Sequence, residues 1–154
     1  MHVTKWGEYG ILCTLFIAKR TCTGMDLVGA SEVAQAHNIA LDYAQQILQR
    51  LRKGNIIKSM RGSKGGYLLS RPAREISLLD IIRASEGDSF EIICEHNPLQ
   101  IADRCLKPGC CAMRPIWQEV KAQINSVLAK YDLATLCEIE CTAATNESTT
   151  AIGA

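Results

Sequence analysis

LDYAQQILQRLRKGNIIKSMRGSKGGYLL occupies residues 41–69, and its periodicity changes once along its length. In the first half, Ala44, Ile47, Leu48 and Leu51 follow the i, i+3, i+4, i+7 template, which predicts a helix over 41–53. The opposite face carries Asp42, Gln45, Gln46, Gln49, Arg52 and Lys53, and Gly54 follows as the expected C′ residue. In the second half, Ile56-Ile57 begins one strand and Tyr67-Leu68-Leu69 forms another. Between them lies the glycine-rich basic tip Arg61-Gly62-Ser63-Lys64-Gly65-Gly66. Arg71-Pro72 ends the second strand.

Upstream, residues 30–37 read as a short helix, with Ser31 near its start and Ala30, Val33 and Ala34 on its apolar side. His37-Asn38 breaks it, because Asn tolerates the left-handed backbone of a tight turn. Residues 4–20 are helical by the recurrence of Trp6, Tyr9, Cys13 and Phe16. Leu12, Leu15 and Ile17 make that helix apolar nearly all round, so it is expected to be covered on several sides, in part by a second chain. Helix–turn–helix followed by a β-hairpin is the winged-helix order. Downstream, residues 77–86 form another helix closed by Gly87, and residues 88–111 show no sustained period. A long amphipathic pattern then runs over 113–134, through Ile116, Val120, Ile124, Val127 and Tyr131. The expected class is mainly α with a small β-hairpin: a winged helix-turn-helix domain plus a long amphipathic helix. The organisation is a DNA-binding unit over 1–87, a cysteine-rich loop over 88–111, a helical segment over 112–139 and a disordered tail over 140–154.

The chain has 154 residues, 47% of them hydrophobic and 21% charged, which fits one domain with a real core and excludes wholesale disorder. No uninterrupted apolar run approaches the roughly 18 residues of a membrane span. The run Ile11–Ala18 is flanked by Glu8 and by Lys19-Arg20, which is not a signal-peptide pattern, so a cytoplasmic location is expected.

Charge is unevenly distributed. Residues 50–74 hold Arg50, Arg52, Lys53, Lys58, Arg61, Lys64, Arg71 and Arg74 and no acid, giving +8 in a chain whose net charge is +1. A positive patch on an otherwise acidic protein suits contact with phosphates. The helix at 41–53 has the width to enter a major groove, where Gln45 and Gln46 match adenine and Asp42 can accept from cytosine N4. Arg61, Ser63 and Lys64 on the hairpin tip suit phosphates or the minor groove, and Arg50 and Arg52 complete the expected DNA-binding set.

Eight cysteines in a cytosolic chain argue for metal or redox chemistry, and four of them, Cys94, Cys105, Cys110 and Cys111, lie in one irregular segment. Thiolates converging from a loop suit an iron–sulfur cluster, and the spacing lacks the Cys-x-x-Cys pair of a zinc knuckle. The remaining ligand is open among Cys110, His96, a non-protein group and an acid from elsewhere. Cys13 belongs to the apolar stripe of the first helix, and Cys137 and Cys141 share a helical face.

The opening Met1-His2-Val3-Thr4-Lys5, the run Tyr43–Lys53, the wing Arg61–Leu69, the three cysteines and Trp117 after Cys111 together resemble the IscR/NsrR family of winged-helix iron–sulfur transcriptional regulators. The resemblance covers about residues 1–139. It implies a homodimer reading a pseudo-palindromic operator in double-stranded DNA, with the helix at 113–134 crossing its mate; a repressor is expected, with activation left open. It also implies that Cys94, Cys105 and Cys111 hold the cluster and that Glu8 reaches it from the partner chain. The His that IscR-like members place three residues after the last cysteine is absent, since Arg114 stands there, and Leu12 stands where a further branch has a His. Whether the cluster is [2Fe-2S] or [4Fe-4S], and whether iron supply, redox state or nitric oxide is the signal, stays open. So does a zinc site or thiol switch in its place. No nucleotide-binding glycine fingerprint and no catalytic triad is evident, which argues against an enzyme.

Overall fold

The same device ends the two helices of the helix–turn–helix. The structure, a computed structural model, describes residues 4–22, 27–62, 65–87 and 111–150. Helix α1 spans Lys5–Cys22, α2 Ala30–Ala36 and α3 Leu41–Lys53. After α2, Asn38 adopts φ 50°, its N–H donates to the Gln35 carbonyl, and Ile39 N–H donates to the Ala34 carbonyl. After α3, Asn55 adopts φ 56°, its N–H donates to Arg52, and Ile56 N–H donates to Leu51. Both are Schellman closures with an apolar C″ residue. Gly54 was expected in the left-handed position, but its φ is −78° and Asn55 takes that role. Glycine is needed at 54 for another reason: a Cβ there would stand 2.3 Å from the Ala84 Cβ.

The hairpin follows, with β1 (Ile57–Met60) antiparallel to β2 (Gly66–Leu69), Ile57 opposite Leu69 and Met60 opposite Gly66. Val28, ahead of α2, exchanges both backbone hydrogen bonds with Tyr67 at 2.9 Å. This third pairing ties the wing to the helical body. A 3-10 turn at Ala73–Glu75 leads to α4 (Leu78–Glu86). Ser77 caps α4 in a reciprocal box with Asp80, whose carboxylate also receives Arg71 at 3.1 Å.

The core lies between α1, α3 and α4 and takes in Cys13, Ile17, Val33, Ile47, Leu48, Leu51, Ile56, Ile76, Ile81 and Leu133. Two small residues set the approach of α1 to α4. A Cβ on Gly10 would fall 1.9 Å from Ser85 Oγ and 2.8 Å from Ser85 Cβ. Gly10→Val is therefore expected to destabilise by about 1–3 kcal/mol through overpacking, measured as a lower urea midpoint. Adding Ser85→Gly should recover part of the loss; no recovery would remove the steric explanation.

The long pattern expected over 113–134 divides into α5 (Met113–Lys130) and α6 (Leu133–Thr150). Tyr131 is extended, and Asp132 Oδ1 accepts from Thr135 N–H at 2.8 Å, starting a new helix. Leu78 N–H donates to Tyr131 and Leu133 N–H to Ile76, both at 2.8 Å, so the junction is fastened to the start of α4. The tail expected to be disordered from 140 is helical through Thr150. Once Leu133 is buried, with Leu136 and Cys137 against the core and Lys19 paired with Glu140, each further residue adds a helical bond at little cost.

His37, at the end of α2, packs edge-on against Phe16 with ring centroids 5.7 Å apart. Burial holds its pKa below the ordinary 6.5, against a hydrogen bond to Leu12 and the charge of Glu140. The folded state therefore binds fewer protons than the unfolded chain just below that value, and stability present above it is lost as pH falls through it. Thermal unfolding between about pH 7.5 and about pH 5 should show this decline. His37→Asn should flatten it, and an equal decline in the variant would place the titration elsewhere.

Candidate nucleic-acid interface

The apolar stripe of α3 is anchored in the core, so its other face must point outward. Asp42, Gln45, Gln46, Gln49 and Arg52 are exposed along it and line an open groove with Tyr67 of β2. Arg52 donates to Ser59 Oγ at 3.4 Å, which links helix to wing. Expected residues Asp42, Gln45, Gln46 and Arg52 are thus brought together. Gln49 and Tyr67 join them, and neither was in the expected site. Gln49 had a signal, lying one turn beyond Gln45 and Gln46. Tyr67 had none in the sequence, because the wing's fold-back sets its place.

The basic window divides in the fold. Arg52, Lys53, Lys58 and Arg61 are exposed around α3 and the hairpin. Ser63 and Lys64 lie outside the described residues. Arg71 is engaged internally, donating to the Glu75 and Asn55 carbonyls at 2.9 Å and to Asp80. Arg74 lies 4.0 Å from Glu138. Arg50, expected on DNA, is absent from the groove lining: it donates to the Ser85 carbonyl at 2.9 Å and stands over the Trp6 ring at 4.2 Å. A cluster of like charges in sequence is therefore not one patch in space.

Of the expected cluster ligands, Cys111 is described; it is half-buried immediately ahead of α5, and its carbonyl accepts from Arg114 N–H. Cys94, Cys105, Cys110 and His96 lie outside the described residues. Glu8 sits in the first turn of α1 and is exposed. A carboxylate there is favoured by the helix dipole and remains open to a second chain. Among the described residues no group of three potential metal ligands converges. Cys13 is fully buried, and desolvation pushes its thiol up to about 12, which makes it a core residue. Cys137 packs against the core, whereas Cys141 is exposed. No α5 side chain is buried, and Met113, Ile116, Trp117, Val127 and Tyr131 are exposed apolar groups on α5 and its C-cap.

A helix–turn–helix with an outward polar face, followed by a hairpin carrying exposed cations, defines a winged-helix transcriptional regulator. The chain belongs to the Rrf2 family, whose profile, "Iron-dependent Transcriptional regulator", matches residues 3–139. It is 30% identical to the HTH-type transcriptional regulator IscR of Xenorhabdus nematophila, over 88% of this chain and 79% of that protein. Its fold matches T. potens IscR with a TM-score of 0.69 at 28% identity, covering 91% of this chain and 88% of the other. It also matches CymR, the global cysteine regulator of B. subtilis, with a TM-score of 0.67 at 26% identity, covering 90% and 98%. These relatives are transcriptional regulators rather than enzymes, and the winged-helix expectation holds. Among the described residues no helix is long and apolar enough to cross a membrane.

Proposed function

We propose that the protein is a cytoplasmic homodimeric repressor whose operator affinity is set by an iron–sulfur cluster. The observation that carries the DNA half is the groove between α3 and the wing. Gln45 and Gln46 there are free to pair with adenine and Asp42 with cytosine, while Arg52, Arg61, Ser63 and Lys64 meet the backbone. The α5 faces of two chains pack together and set the spacing of the two recognition helices.

The sensing half rests on the likeness to IscR and on the donor set. Cys94, Cys105 and Cys111 would hold the cluster as thiolates, with Glu8 of the partner subunit as a further, oxygen ligand. Position favours Cys111, which adjoins the helix that would cross between chains, and Glu8 is exposed to receive a neighbour. When bound, the cluster supplies a redox couple whose potential the surrounding charges tune. The chain's residues convert its presence into geometry: Cys111 ties the loop to α5, and Glu8 ties it to the first turn of the partner's α1. Affinity changes only by as much as cluster binding differs between the two dimer arrangements.

A second reading is favoured by the 31% identity to S. aureus CymR, solved in an oxidized form: the loop cysteines act as a thiol switch or hold zinc. Visible absorption of anaerobically purified protein, with iron, sulfide and zinc assayed on one sample, separates the readings. Charge-transfer bands with matched iron and sulfide support the cluster. A colourless protein with stoichiometric zinc, or with neither metal, transfers the loop to the second reading and leaves DNA binding standing.

A further inference from the structure

We infer that Arg50 positions the recognition helix as the centre of a clamp with Trp6 and the Ser85 carbonyl, and does not contact DNA. The inference rests on the DNA-binding reading and concerns how α3 is aimed.

Arg50 comes seven residues after Tyr43, so the two share one edge of α3, two turns apart. Trp6 of α1 spans that edge. Its ring lies 4.9 Å from Tyr43, which also meets Tyr9 edge-on at 5.7 Å. The Arg50 guanidinium lies 4.2 Å over the same indole, within the range of a cation–π contact. Its Nη1 donates at 2.9 Å to the carbonyl of Ser85, in the last turn of α4. That carbonyl is among those a helix C-terminus leaves without an intrahelical donor. Glu86, the next residue, accepts from the N–H and the hydroxyl of Thr4 at the start of α1. One arginine therefore joins the recognition helix to the first turn of α1 and the last turn of α4.

This placement is specific in chemistry. Stacking uses the planar face of guanidinium while an edge N–H makes the carbonyl bond, and an ammonium has no planar face to stack. Gln46 of the groove lies one turn before Arg50, yet Arg50 is not among the groove-lining residues, because its guanidinium is turned sideways onto Trp6. The clamp also reaches the turn of α1 that carries Glu8, so movement at Glu8 would pass directly to the angle of α3.

Arg50→Lys is the discriminating variant, because it keeps the charge and loses the clamp. Binding is measured against a duplex selected from random sequence by the wild-type protein and against a scrambled duplex, over a range of salt. Arg50→Lys, Arg50→Gln and Trp6→Phe are each expected to weaken binding to the selected duplex about tenfold, the order of one misaligned base contact. Scrambled-duplex binding should stay within about twofold and the salt slope should not change. Rescue by Arg50→Lys, with Arg50→Gln weakening both duplexes equally and lowering the slope by about one, would make Arg50 a phosphate contact and overturn the proposal. Urea unfolding of the Trp6→Phe and Arg50→Gln single and double variants tests the clamp without DNA. Non-additive losses are expected, and strict additivity overturns it. Wild-type protein that selects no duplex would instead refute the DNA-binding reading, with the unfolding cycle still deciding the clamp.

Discussion

Cys105→Ala and Cys111→Ala are each expected to abolish the visible chromophore and the bound iron and sulfide of anaerobically prepared protein. A cluster held by three thiolates and one oxygen donor cannot lose a thiolate and keep its charge balance, and the neighbouring residues offer no replacement of comparable softness. Cys110→Ala should retain the chromophore, since adjacent cysteines diverge too much to serve one metal together. Cys13→Ala should retain it too, because that thiol is sealed in the core with its pKa raised to about 12. Operator affinity of the two cluster-less variants should sit at one value, that of wild-type protein stripped by chelator, and be insensitive to nitric oxide or oxidant. Glu8→Ala should keep iron and sulfide but alter the spectrum and the DNA response. Unchanged spectra and response would remove the cross-chain ligand from the mechanism. If Cys110→Ala proves as damaging as Cys111→Ala, the ligand set is wrong; if none of these variants changes metal content, the sensing reading is.

The parts legible in the sequence are those where one strong pattern met no competitor. The four apolar positions of α3 predicted its bounds, 41–53, at both ends. The glycine-rich tip placed the hairpin. What failed depended on partners distant in sequence. Gly54 looked like a left-handed cap because glycine is the usual one, yet its job is to admit Ala84, thirty residues away. The apolar period ran unbroken through Tyr131, and only the backbone clip to Ile76 and Leu78 shows why the helix stops there. The basic window looked uniform because a sequence does not distinguish an outward-facing cation from one held on a backbone carbonyl. Arg50, though exposed, and Arg71 bind backbone carbonyls of other elements, whereas Arg52 and Arg61 do not. The recognition surface was therefore half readable: the amides on α3 follow from helical phase, but Tyr67 enters only through the wing.

Ile116→Glu combined with Val127→Glu is expected to convert the protein to a monomer and lower operator affinity by at least about 100-fold. In the single chain α5 has no buried side chain, and Ile116 and Val127 are each 50% exposed. Apolar residues stepping by three and four along an exposed helix form a seam, and in the proposed dimer a second copy of the same seam covers it about a two-fold axis. Two carboxylates on each chain would be desolvated in that seam, a cost of several kcal/mol that a helix-pair interface does not offset. Each separated protomer keeps its α3 and wing, because neither residue contributes to the buried core. Its binding to a single half-site should survive at roughly non-specific strength, with the salt slope falling toward half as half the phosphate contacts are lost. Sedimentation or light scattering reads the oligomeric state, and titration with full and half operators reads the coupling. A variant that stays dimeric would move the interface off α5. A monomer that still binds the full operator at wild-type affinity would leave the dimer intact as an assembly but remove it from the reading of DNA, since affinity for a two-fold site depends on two heads held at a fixed spacing.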